Sequence, residues 1–123
     1  MDKKILIVED DSFVSELYDH EFKKAEFVAD TAFDGETALE LAKKNKYDLI
    51  LLGIMIPKKD GLEVLKELKS NQSTKNTLVI ILSNLGQDEL IKQALQIGAK
   101  AYIVKSLYTP IQVVAEVRSV LGV

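Results

Sequence analysis

The chain has 123 residues, 47% of them hydrophobic, which is the size of one compact domain spanning 1–123 with enough apolar side chains for a real core. Its 16 basic and 19 acidic residues give a net charge of −3 with no basic block, which argues against nucleic-acid binding by this domain. Cysteine is absent, which excludes disulfides and thiolate metal sites, and no apolar run is long enough to cross a bilayer or serve as a signal peptide, so a cytoplasmic protein is expected.

Short apolar runs alternate with amphipathic stretches along the chain. Ile5-Leu6-Ile7-Val8 predicts the first strand. Phe13 and Leu17 open a helix that reaches Lys24, with Asp11 or Ser12 at its cap. Phe27-Val28-Ala29 is a weaker second strand. Thr37, Ala38, Leu41 and Ala42 follow Asp34-Gly35 at helical spacing. Leu49-Ile50-Leu51-Leu52 is the third strand run, closing the strand-like stretch 47–52 and ended by Gly53. Leu62, Val64, Leu65 and Leu68 follow Asp60-Gly61 as the third helix, and residues 71–76 are a polar loop. Leu78-Val79-Ile80-Ile81-Leu82 is the fourth strand. Leu90, Ile91, Ala94, Leu95 and Ile97 make a helix stopped at Gly98. Ala101-Tyr102-Ile103-Val104 is the fifth strand, and the last helix begins near Pro110, a residue suited to a first turn. Continuous apolar runs fit strands buried on both faces of a parallel sheet. Strand and helix repeated five times imply right-handed crossovers, with helices on both faces.

In such sheets ligands sit beyond the carboxyl ends of the strands. Those ends carry Glu9-Asp10-Asp11, Gly53, Ser83 and Lys105. Asp10 and Asp11 are hard oxygen ligands for a cation such as Mg2+, and are equally suited to capping the helix that follows. Lys105 can pair with Asp10 or Asp11 or with a phosphoryl oxygen, or stand as an ordinary solvated lysine. Ser83 can donate to a phosphoryl oxygen or cap the next helix.

These pieces, in this order, resemble the receiver domain of two-component response regulators over essentially the whole chain. The matching stretches are residues 4–11, 34–39, 47–57, 60–65, 80–83 and 98–105. The resemblance implies a flavodoxin-like, doubly wound (βα)5 sandwich with parallel sheet order 2-1-3-4-5, as in chemotaxis regulators. It implies that Asp10, Asp11 and the backbone carbonyl of Met55 hold Mg2+. Position 53 would carry the aspartate that takes a phosphoryl group from a sensor histidine kinase or phosphotransfer protein. Ser83 would contact that group, Lys105 would pair with it, and Ser83 and Tyr102 would form the switch read by a downstream protein target. The chain would be a signalling module, not an enzyme.

Three positions depart from the pattern. Gly53 has no side chain, so the acceptor is missing. Ser106 stands where a proline usually follows the lysine, which disfavours a cis bond there. Ala101 stands where relatives often carry an acid. Gly53 is either native degeneracy or an engineered replacement, and both predict a phosphorylation-deficient receiver with weakened Mg2+ affinity. A pseudo-receiver acting only by protein binding is the alternative. A nucleotide- or flavin-binding relative is disfavoured, because Glu9-Asp10-Asp11-Ser12 stands where a glycine-rich phosphate loop would lie. The signalling face would combine the fourth helix, Tyr102 and the last helix. Val113, Val117 and Val120 form an apolar stripe there whose default role is packing on the sheet. Without a phosphoryl group, Tyr102 is expected to face solvent and the chain to be a monomer or weak homodimer.

Overall fold

Alternation within the apolar runs decides which helices cover which face of the sheet. The computed structural model describes residues 2–123. Strands β1 (Lys4–Val8), β2 (Val28–Ala32), β3 (Leu49–Leu52), β4 (Leu78–Ser83) and β5 (Ala101–Val104) alternate with helices α1 (Ser12–Lys24), α2 (Gly35–Lys44), α3 (Gly61–Ser70), α4 (Asp88–Ile97) and α5 (Pro110–Leu121). All pairings are parallel and the order is β2-β1-β3-β4-β5, as the sequence predicts. Leu6, Val8, Ile50, Leu52, Val79 and Ile81 point to one face and meet Ala38 and Leu39 of α2, Val64, Leu65 and Leu68 of α3, and Ala94 of α4. Ile5, Ile7, Leu49, Leu51, Ile80 and Leu82 point to the other and meet Tyr18 and Phe22 of α1 and Val113, Val114 and Val117 of α5. Val113 and Val117 are fully buried, so the stripe on the last helix is core.

One strand differs from the sequence expectation. β2 runs on through Asp30 and Thr31, because an edge strand needs an apolar side chain only where it meets the core, here at Ala29 and Ala32. Phe27 instead packs edge-on against Phe22, with ring centroids 5.4 Å apart. β3 starts at Leu49, as its apolar run does. Ahead of it, the Asp48 carboxylate accepts the Lys4 N–H at 2.7 Å, a side chain taking the place of a ladder carbonyl, and the Tyr47 hydroxyl donates to Asp30 at 2.7 Å.

Helix starts follow their caps. Asp34 accepts the Thr37 N–H at 2.7 Å and Asp60 accepts the Glu63 N–H at 3.0 Å. Thr109 and Gln112 close a reciprocal capping box around Pro110. The glycine after Asp60 is required for close approach. A Cβ on Gly61 would lie 2.0 Å from the Gly53 carbonyl oxygen and 2.7 Å from Ile54 Cα. This contact presses the start of α3 onto the end of β3 and fixes the loop between them.

Gly61→Ala is therefore expected to destabilise the fold by about 2–4 kcal/mol in urea unfolding. Gly53→Ala is expected to stay within about 1 kcal/mol of the parent. Its Cβ would meet the Val8 carbonyl at 3.2 Å and Ile56 Cγ2 at 3.3 Å, contacts that small shifts relieve. Equal losses in the two variants would contradict this assignment.

Candidate functional site

Parallel strands bring their carboxyl ends to one edge, and there the buried apolar runs give way to polar residues. The ladder continues one step past β1 and β3: Gly53 N–H donates to the Val8 carbonyl at 3.0 Å and Glu9 N–H to the Ala32 carbonyl at 3.0 Å. These bonds set Glu9 and Gly53 side by side at the floor of a cleft of about 270 Å3. Asp10, Asp11, Met55, Ser83 and Lys105 line the same cleft, so the structure gathers every strand-end residue singled out from the sequence.

Gly53 is buried, and its backbone does not need a glycine: the positive-φ glycines are Gly98 and Gly122. What position 53 lacks is chemistry, an oxygen nucleophile. Ser83, at the end of β4, is 6% exposed, and its hydroxyl accepts the Leu85 N–H at 3.0 Å. Lys105 opens the short 3-10 turn Lys105–Leu107 after β5, and its backbone link to Ser106 is trans.

The charge pattern corrects one expectation, the partner of Lys105, and bears out another, the capping role of Asp11. The Lys105 ammonium pairs with the Glu9 carboxylate, not with Asp10 or Asp11. Glu9 is 6% exposed, and its second oxygen accepts the Asp11 N–H at 3.0 Å. A buried carboxylate at this edge needs both a cation and a donor, and Glu9 has them. The signal for it was present in the sequence as the first acid after an apolar strand. Asp11, predicted as a metal ligand, uses Oδ1 to cap α1, accepting the Phe13 N–H at 3.0 Å and the Val14 N–H at 3.1 Å. Asp10 and Asp11 are both exposed, and Asp10 is the one that caps no helix. Desolvation first, then the neighbouring Glu9, pushes its carboxyl above the ordinary carboxylate range.

Tyr102 also departs from expectation. Rather than facing solvent, it is half-buried, with its ring against the core beneath α4 and its hydroxyl donating to the Leu85 carbonyl. Burial raises its phenol pKa. The ring covers apolar surface while the hydroxyl satisfies a loop carbonyl, so the inward position needs no phosphoryl group to hold it.

The profile of the response regulator receiver domain matches residues 5–118. The chain belongs to this family. The chemotaxis protein CheY of Treponema pallidum is 40% identical over 107 residues, covering 85% of this chain and 73% of that protein. The regulatory protein PhoP of Bacillus subtilis, which governs alkaline phosphatase synthesis, is 35% identical over 98% of this chain, and the match spans 49% of that protein's length. Thus this receiver domain spans about half the length of its PhoP relative. Among solved structures, a Francisella response regulator receiver domain superposes with a TM-score of 0.91 at 30% identity, covering 98% of both chains. The BeF3-activated receiver domain of RstA from Klebsiella pneumoniae superposes with a TM-score of 0.88 at 31% identity, covering 97% of this chain and 98% of that one.

The side chains present do not fit a tight Mg2+ site. Asp10 offers a free carboxylate, but Glu9 is held by Lys105, Asp11 is half committed to a cap, and position 53 supplies nothing. Among the described residues, no three His, Cys, Asp or Glu side chains gather to hold a metal.

The raised carboxyl of Asp10 has a testable sign. Between the ordinary carboxylate pKa and its folded value, the folded chain holds this proton more tightly than the unfolded chain. Stability from this group is lost as pH rises through that window. In metal-free buffer, Asp10→Asn is expected to raise the melting temperature at pH 7, with the gain vanishing below the ordinary carboxylate range. Glu9→Gln, which strips Lys105 of its counter-charge, is expected to cost about 1–2 kcal/mol at pH 7. Thermal melts across pH on the three proteins check both; destabilisation by Asp10→Asn at pH 7 would overturn the first.

Proposed function

We propose that this receiver domain does not accept a phosphoryl group at position 53 and works as a protein-binding signalling module, not an enzyme, through the face that Tyr102, α4 and α5 share. Phosphoryl acceptance asks a receiver for a nucleophile, with the surrounding groups mainly positioning it and neutralising charge. The observation that carries the reading is Gly53: it shares the cleft with Ser83 and Lys105, at the place the resemblance gives to the acceptor, and offers no oxygen. Neither hydroxyl nearby replaces it. Ser83 is engaged with the Leu85 N–H, and no base activates Ser106.

The partners that suit this reading are a histidine kinase or phosphotransfer protein of the family's phosphorelay and a downstream protein target. No helix among the described residues is long and apolar enough to cross a membrane. Two forms of the reading differ in what surrounds Gly53. A receiver that has merely lost its aspartate keeps a competent site. A pseudo-receiver has adapted the site to do without one. The backbone at Gly53, which does not demand a glycine, favours the first, and the Glu9–Lys105 pair, which neutralises the ammonium internally, favours the second.

Incubation with acetyl phosphate and Mg2+, followed by intact mass, separates them. The parent chain is expected to gain no hydroxylamine-sensitive phosphoryl group. Labelling of Gly53→Asp alone would identify a competent receiver lacking only its acceptor. Absence of label on both would identify a pseudo-receiver. Equal labelling of both would overturn the proposal that position 53 is the sole acceptor.

Mg2+ affinity follows the same ligand count. Gly53→Asp is expected to bind Mg2+ more tightly than the parent in titration calorimetry, because a third carboxylate joins those of Asp10 and Asp11 and the Met55 carbonyl. Tighter binding by the parent would remove position 53 from the metal site.

A further inference from the structure

A second cleft, of about 360 Å3, opens between the first turns of α1 and the end of β2. Ser15, Glu16 and Asp19 of α1, together with Phe13, Thr31 and Phe33, line it. We propose that this cleft receives a cationic side chain, an arginine or lysine, presented by a protein partner.

Four observations support a cation there. Among the described residues, Ser15 Oγ is the buried side-chain polar atom that has no hydrogen-bond partner. Ser15 is 1% exposed, and the carbonyl one turn earlier, that of Asp11, already accepts the Ser15 N–H at 2.9 Å. An unpaired buried hydroxyl is costly and is satisfied by an incoming donor. Phe13 and Phe33 stand 74% and 48% exposed at this cleft, an unusual cost for two large aromatics. Their π faces attract a guanidinium or ammonium. The charge lining the cleft is negative only. Asp19 is paired with Lys23 at 3.0 Å, while Glu16 is exposed and has no ion-pair partner among the described residues. An anion would be repelled, and an uncharged group would leave Glu16 unused.

Charge and place together favour a protein side chain as the source. The cleft suits the end of one long side chain. It also lies on the same edge of the domain as the Gly53 cleft, with Phe13 only two residues beyond Asp11. A protein lying across the strand ends reaches both clefts at once. The inference stands apart from the loss of the acceptor, since none of these residues lines the Gly53 cleft.

Titration of the nitrogen-15-labelled chain, followed by amide shifts, tests this with three ligands: a short arginine-bearing peptide amide, its citrulline counterpart, and putrescine. The arginine peptide is expected to move the amides of residues 13–19 and 31–33 saturably, and the citrulline peptide is not. Glu16→Gln and Phe33→Leu, both exposed substitutions that keep the fold, are each expected to weaken the arginine peptide roughly three- to tenfold. The Gly53→Asp chain is expected to give the same titration. Equal binding of the citrulline peptide, shifts confined to other residues, or unchanged affinity in both variants would overturn the proposal. Binding of putrescine as tight as that of the peptide would show that the occupant is a free amine and would overturn the assignment to a protein side chain.

Discussion

The burial of β3 between β1 and β4 constrains everything else in this molecule. Leu49, Ile50, Leu51 and Leu52 are each 0–1% exposed, so the strand is sealed on both faces by helices and on both edges by neighbours. A strand so enclosed has one place to turn polar, its end. The parallel arrangement brings the ends of β1, β4 and β5 to the same place. The absence of a Cβ at Gly61 then lets α3 close down on the Gly53 carbonyl, so the loop after β3 cannot drift away from the cleft. Hydrophobic burial thus fixes where the polar cluster lies, and backbone contact fixes its floor.

Within that cluster, electrostatics decides which residue takes which role. Three consecutive acids stand at the end of β1, and each has a different environment. Glu9 is buried and finds both a cation and a backbone donor. Asp11 is spent partly on the first turn of α1. Asp10 is desolvated and lies beside Glu9, and ionises reluctantly. Gly53 adds no charge to this crowded edge, and the ammonium of Lys105 is committed to Glu9.

Much of this was legible in the sequence, for identifiable reasons. The runs at β1, β3 and β4 are apolar at successive positions because both faces are covered, and that pattern is hard to mistake. Asp34-Gly35 and Asp60-Gly61 announce helix starts because an aspartate cap and a following small residue are local chemistry. β2 was read too short because an edge strand tolerates Asp30 and Thr31. The partner of Lys105 is Glu9 rather than Asp10 or Asp11 because tertiary packing, not local spacing, decides which of three adjacent acids turns inward. Tyr102 was misplaced for a related reason: the carbonyl that holds it belongs to a loop whose path is set by tertiary packing.

That loop has a mechanical property of its own. The backbone of Leu85 is gripped on both sides, its N–H by the Ser83 hydroxyl and its carbonyl by the Tyr102 hydroxyl. One residue of the β4–α4 connection therefore couples two side chains from adjacent strands. A rotamer change in either one would release a polar group of Leu85, so both side chains bias the path of the same residue. A partner that docks on α4 and pulls this loop would act on Ser83, at the edge of the cleft, through the same residue, and information would pass between face and cleft with no charge moving at all.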